Sequence, residues 1–144
     1  MPYTFQNSPG KLTQDLNKAF GKTLLEEFKR IGLKINITEW SILSYLSHKK
    51  TCTQKQISEF LGLEKVFVKR TLDRMEKNGW ISRSQGKEDK RYNNIELTGT
   101  GKELFGKLKF PAQRTIEKGL RNINESDYLH FKKVSLQIIK NLEE

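Results

Sequence analysis

Residues Thr53–Thr98 run TQKQISEFLGLEKVFVKRTLDRMEKNGWISRSQGKEDKRYNNIELT. Thr53 and Gln56 make a T-x-x-Q capping box, which opens a helix running to about Leu61. Gly62 ends that helix in a tight turn. A second helix is predicted from about Glu64 to Asn78, and Gly79 sits where a helix stop is expected. Trp80–Ser84 and Tyr92–Leu97 then read as strands joined by the polar loop QGKEDKR. Helix, turn, basic helix and basic hairpin, in that order, predict a winged helix-turn-helix.

On a 100° wheel the second helix separates its faces. Val68, Leu72 and Met75 fall together and form the face to be buried. Val66, Arg70, Asp73 and Lys77 lie roughly opposite, with Lys69 and Arg74 at the flanks. A helix that enters a groove of DNA needs this separation. Arg70 can reach a guanine edge or a phosphate, while Arg74 and Lys77 suit phosphates. A solvated charged face reads the same way, and the hairpin decides between the two. Its tip offers Lys87, Lys90 and Arg91, and an arginine on a thin hairpin can enter a narrow minor groove. Asp89, beside Arg91, can hold a nearby arginine in one rotamer. Thr53, Gln54 and Lys55 open the first helix, whose free N–H groups can be capped locally and can also meet a phosphate. Asp73 and Glu76 stand at helical spacing from Arg70 and Lys77, so ion pairing is their simplest account.

The flanks of this unit are helical. Residues 1–10 carry Pro2, Pro9 and Gly10 and read as an extended arm. From Lys11 to Ile31, Leu12, Leu16, Phe20, Leu24, Phe28 and Ile31 recur at three- or four-residue steps, a helix with one apolar stripe. Thr38 can cap a helix through about Ser47, with Trp40, Leu43 and Leu46 or Tyr45 inward. Thr98 caps a long helix that Pro111 is expected to kink or interrupt before it ends near Arg121. Asn124 caps a last helix with Tyr128, Phe131, Ser135, Ile138 and Leu142 along one face. The two terminal stripes are more than one small winged domain can cover, so they are expected to pair with a second copy.

The 144 residues fit one domain with a sizeable core, and Lys+Arg 27 against Asp+Glu 17 gives a net charge of +10. That excess favours a polyanion, either nucleic acid or an anionic membrane surface. No apolar run is long enough to span a bilayer and no signal pattern opens the chain, so a cytoplasmic protein is expected. The single cysteine, Cys52, suits a reducing compartment and has no intramolecular partner. No enzyme site or cofactor motif emerges: His48 and His130 lack metal-ligand spacing, and no glycine-rich phosphate loop follows a strand.

The motifs ITEWSIL, TQKQISEFLGL, VKRTLDRMEKNGWISR and EDKRYNNIELTGTGKEL together resemble the MarR family of bacterial transcription regulators, from about Leu12 to Leu142. The wing signature is Asp89, Arg91, Leu97, Thr98 and Gly101. The resemblance implies a mostly α fold with a small β-hairpin wing, a winged helix-turn-helix flanked by N- and C-terminal dimerisation helices. It divides a single domain, 1–144, into dimerisation helices at 11–36 and 99–144 and a DNA-binding region at 37–98. It implies a homodimer on a pseudo-palindromic operator in double-stranded DNA, acting as a repressor and released by a small aromatic effector. The effector pocket would lie between the dimer helices and the reading head, lined by Phe20, Phe28, Trp40, Tyr45 and Phe105. The chain departs from the family at Phe67, where a small polar residue often contacts DNA, and at Lys90, where arginine is frequent. Phe67 suits a thymine methyl instead. Cys52 lacks the position near the chain start that thiol-sensing members use. The competing readings are an architectural protein that coats DNA without sequence choice, marked by a steep salt slope, and a winged module that binds protein.

Overall fold

Five helices open on a side-chain cap, and the caps set the chain's punctuation. The computed structural model describes residues 2–85 and 93–144. A 3₁₀ turn at Phe5–Asn7 leads to Ser8, whose hydroxyl accepts from the Lys11 N–H and starts α1, Pro9–Arg30. The arm expected at 1–10 is therefore shorter: Pro9 lacks the N–H that a first helical turn leaves unused, so it belongs inside the helix. Asn36, rather than Thr38, caps α2, Ile37–Lys49, by accepting from the Glu39 N–H. Strand β1, Thr51–Thr53, leads into α3, Gln54–Leu61, and Gly62 closes α3 in the left-handed region at φ 63°. Then follow α4, Lys65–Lys77, and the strands β2, Ile81–Gln85, and β3, Asn93–Leu97. Thr98 caps α5, Gly99–Gly119, and Asn124 caps α6, Glu125–Glu143.

The hairpin is part of a three-stranded antiparallel sheet in the order β1-β3-β2. Cys52 faces Ile95 across one ladder, and Arg83 faces the same Ile95 across the other. Strand β1 is absent from the sequence reading. Three residues are too short to show a period, and the partner lies some 40 residues on. Pro111 is expected to kink or interrupt α5, and the helix runs through it to Gly119 without interruption. Its ring is buried, Thr115 donates to its carbonyl, and α5 packs along α1, which offsets the missing N–H.

The core joins α1, α2, α3, α4, the sheet and α5 through Phe28, Ile42, Leu43, Leu46, Ile57, Leu72, Met75, Ile95 and Leu108. Helix α6 takes no part in it and buries no residue, although Tyr128, Phe131, Val134, Ile138 and Leu142 are all exposed. Among the described residues no helix is long and apolar enough to cross a membrane.

Candidate nucleic-acid interface

Helix α4 is held by its buried face, which fixes what the other face presents. Val68, Leu72 and Met75 are fully buried, as the wheel predicts, and Thr71 joins them with its hydroxyl on the Phe67 carbonyl. Val66, Phe67, Lys69, Arg70, Arg74 and Lys77 are all exposed. The α3–turn–α4 unit is tied at its start. The Thr53 hydroxyl accepts from the Gln56 N–H at 3.2 Å, and Gln56 Oε1 accepts from the Thr53 N–H at 2.9 Å. Gln54 Nε2 donates to the Lys65 carbonyl at 3.4 Å, bracing the first turn of α3 against that of α4. Lys55 is exposed and lies 3.9 Å from Glu59. Thr53 and Gln54 thus have structural work in the free protein, and both lie at the end of α3 that carries its unfilled N–H groups.

Two ion-pair systems position α4, and both include a residue that the sequence reading missed. Arg74 donates to Glu39 on α2 at 3.1 Å. The Glu39 side chain is 7 % exposed, so its carboxylate needs a cation there. Arg74, expected to meet phosphate, also serves this brace, through one of its terminal nitrogens. The spacing of Glu39 from Asn36 marks a helix start, but nothing local points to Arg74, 35 residues on. On the wing side, Arg83 of β2 lies 2.9 Å from Asp73 and 3.0 Å from Glu76, and Lys69 lies 2.9 Å from Asp73. Asp73 and Glu76 therefore pair with Arg83 and Lys69 instead of Arg70 and Lys77. Strand alternation puts Arg83 on the inward side with Ile81, and an inward arginine needs acidic partners. The Lys69 ammonium and, behind it, Arg83 hold the Asp73 carboxyl below the usual aspartate range. Among the described residues no group of His, Cys, Asp and Glu is arranged to hold a metal ion.

The tip residues Lys87, Asp89, Lys90 and Arg91 lie outside the described residues. The five aromatics expected to line one pocket are not brought to one cavity. Phe28 is fully buried, edge-on to Trp40 at 5.5 Å, and Trp40 stacks on Phe105 at 5.6 Å. Tyr45 stacks on Phe60 at 4.2 Å beside a groove of about 720 Å³, lined also by Trp40, Ser44, His48 and Lys49. Phe105 borders a second hollow with Leu46, Lys50 and Lys102. Phe20 lies against Gly119 in a third, apolar cleft of about 570 Å³ with Leu16, Ile116, Leu120, Tyr128 and Phe131.

Comparisons with known proteins agree with this architecture. The model of the MarR family matches residues 35–92. An uncharacterized HTH-type transcriptional regulator of Bacillus subtilis, YwoH, is 31 % identical over 110 residues, covering 76 % of this chain and 78 % of its own. The crystal structure of an Escherichia coli MarR mutant complexed with operator DNA is similar, with a TM-score of 0.83 at 18 % identity, covering 95 % of this chain and 99 % of that one. Bordetella bronchiseptica BpsR, whose DNA binding is regulated by 6-hydroxynicotinic acid, superposes with a TM-score of 0.84 at 14 % identity, covering 96 % of this chain and 97 % of its own.

Proposed function

This chain belongs to the MarR family of transcription regulators, and from that premise we propose that it binds one operator sequence as a homodimer. Its class is that of DNA-binding regulators and not of enzymes. The observation that carries the finer reading is α4: a helix anchored by Val68, Leu72 and Met75 that presents Arg70 and Lys77 outward beside the wing. Arg70 takes the base-reading role, Lys77, Lys69 and Lys55 the phosphates, and Lys87, Lys90 and Arg91 the groove beside the wing, with Asp89 orienting an arginine. Residues 37–98 form the reading head of the single domain, and 11–36 and 99–144 supply the dimer helices. The unburied apolar face of α6 and the cleft around Phe20 support the pairing, since a second copy is the surface that would cover both.

Repression, with release by a small aromatic effector, completes the reading. BpsR offers the parallel of a similar fold that answers to a hydroxylated aromatic acid. In this chain the groove beside Tyr45 and Phe60, with His48 and Lys49 at its rim, suits an aromatic anion better than the five-residue set does.

Fluorescence anisotropy tests the proposal, with DNA from upstream of the protein's own gene against a shuffled copy across a salt series. Much tighter binding to the upstream duplex, persisting at physiological salt, is the expected result. Arg70→Ala should then weaken operator binding by about 1–3 kcal/mol. Equal binding to operators obtained by genome-wide selection and to shuffled DNA, vanishing together with salt, would instead establish a protein that coats DNA.

A further inference from the structure

The first exposed turn of α4 is apolar on the face that carries Arg70. Val66 is 62 % exposed and Phe67 49 % exposed, and neither packs into the core below. On the wheel the two side chains bracket Arg70: Val66 lies about 40° to one side of it and Phe67 about 60° to the other. The polar neighbours sit to the sides: Lys69 pairs with Asp73 toward the wing, and Arg74 reaches Glu39 on α2. A recognition helix reads bases chiefly with its N-terminal residues. Here those residues carry no hydrogen-bonding side-chain group at positions 66 and 67.

Large apolar side chains on a face that meets a polyanion stay costly unless an apolar group meets them. The major groove displays one prominent group of that kind, the C5-methyl of thymine. Resting on the regulator reading above, we infer that Val66 and Phe67 form a thymine-methyl sensor, so that each operator half-site carries thymine beside the base contacted by Arg70. Sequence choice at those base pairs then comes from methyl contact, and the hydrogen-bonded choice falls to Arg70. A protein-docking patch is the weaker account, because the same face carries Arg70 and Lys77 and adjoins the wing.

Replacing thymine by uracil tests this, since it removes the methyl and leaves pairing and phosphates intact. The operator is first selected from random duplexes, and each thymine is then changed singly to uracil. Anisotropy with the full-length protein should show one or two positions per half-site at which uracil weakens binding about fourfold, the effect of losing one buried methyl. Phe67→Ala, which leaves the buried face of α4 untouched, should weaken binding to the thymine operator and lose most of that sensitivity; Val66→Ala should do so at the neighbouring position. A circular dichroism melt confirms that the variants fold. Specific binding that ignores every uracil, or uracil losses of equal size in the wild type and both variants, overturns the inference and leaves the regulator reading standing. A protein that prefers no selected duplex over shuffled DNA overturns both.

Discussion

At the scale of single residues, Thr98 and Gly101 explain why the end of the wing and the start of α5 share one short signature. The Thr98 N–H donates to the Trp80 carbonyl at 3.0 Å, its hydroxyl donates to the Gly79 carbonyl, and the same oxygen accepts from the Gly101 N–H at 3.0 Å. One threonine thus closes β3 against the entry to β2 and caps α5. The cost is proximity: a Cβ on Gly101 would stand 2.0 Å from the Trp80 carbonyl oxygen. Backbone cannot swing aside as a side-chain tip can. Gly101→Ala should therefore destabilise the fold by about 2–4 kcal/mol in chemical denaturation, within the range of overpacking. Wild-type stability would mean that α5 slides away freely. Cys52 gives a second expectation. Its side chain is buried opposite Ile95, and burial pushes the thiol pKa up, although Tyr45 and Lys49 pull it down. Its reaction with a disulfide reagent at neutral pH should be slow in the native protein and reach the rate of a free thiol only in denaturant. These positions differ in how far sequence betrays them. Thr98 is legible as a cap because the bond is local, whereas the need for glycine at 101 comes from Trp80, across the hairpin.

At the scale of elements, α4 is clamped from two sides by charges that the helix wheel alone assigns wrongly. Spacing within one helix suggests that Asp73 serves Arg70 and Lys77. The partner that wins is Arg83, supplied by β2 and 18 % exposed, because a strand running beside the helix offers a planar cation to two carboxylates at once. Glu39 and Arg74 likewise meet across helices. Local patterns such as caps, stripes and glycine stops are legible in the sequence, and so are α3, α4 and the buried trio of α4. Partners brought together by the fold are not, which is why β1, the unbroken α5 and both braces escape it. The wing-side clamp has a pH signature. The folded Asp73 carboxyl titrates below its unfolded value, so its contribution is complete above the unfolded aspartate range and disappears as pH falls through the lowered value. Wild-type stability should decline on acidification more steeply than that of Asp73→Asn, which lacks this contribution at every pH. At neutral pH, Arg83→Ala should lower the melting temperature by a few degrees and weaken operator binding while every α4 base-face side chain is retained. Undiminished affinity in Arg83→Ala would detach the clamp from DNA binding.

At the scale of the whole molecule, the unresolved balance is α6. A helix in water draws most of its stability from packing an amphipathic face, and α6 buries none of its residues within the chain. Leu129, Phe131, Val134, Ile138 and Leu142 stay open to solvent, and Tyr128 and Phe131 border the apolar cleft that Phe20 enters over Gly119. One copy leaves this surface open, and a two-fold partner would repeat it and close both sides at once. Light scattering at micromolar concentration should give twice the 16.8 kDa chain mass. Phe131→Glu places a charge in the middle of the apolar face, so it should give monomer and also reduce far-UV helicity as α6 loses its support. The reading head, whose core lies in α1 to α5 and the sheet, should keep its cooperative melt. Affinity for the operator should then fall by about 10²–10⁴-fold, the loss expected when two linked half-site contacts become one. Affinity for a single half-site should hold, because no residue of α4 has changed. A wild type that is monomeric, or a monomeric Phe131→Glu that binds the full operator undiminished, would mean that α6 is covered by something other than a second copy, or that one reading head suffices.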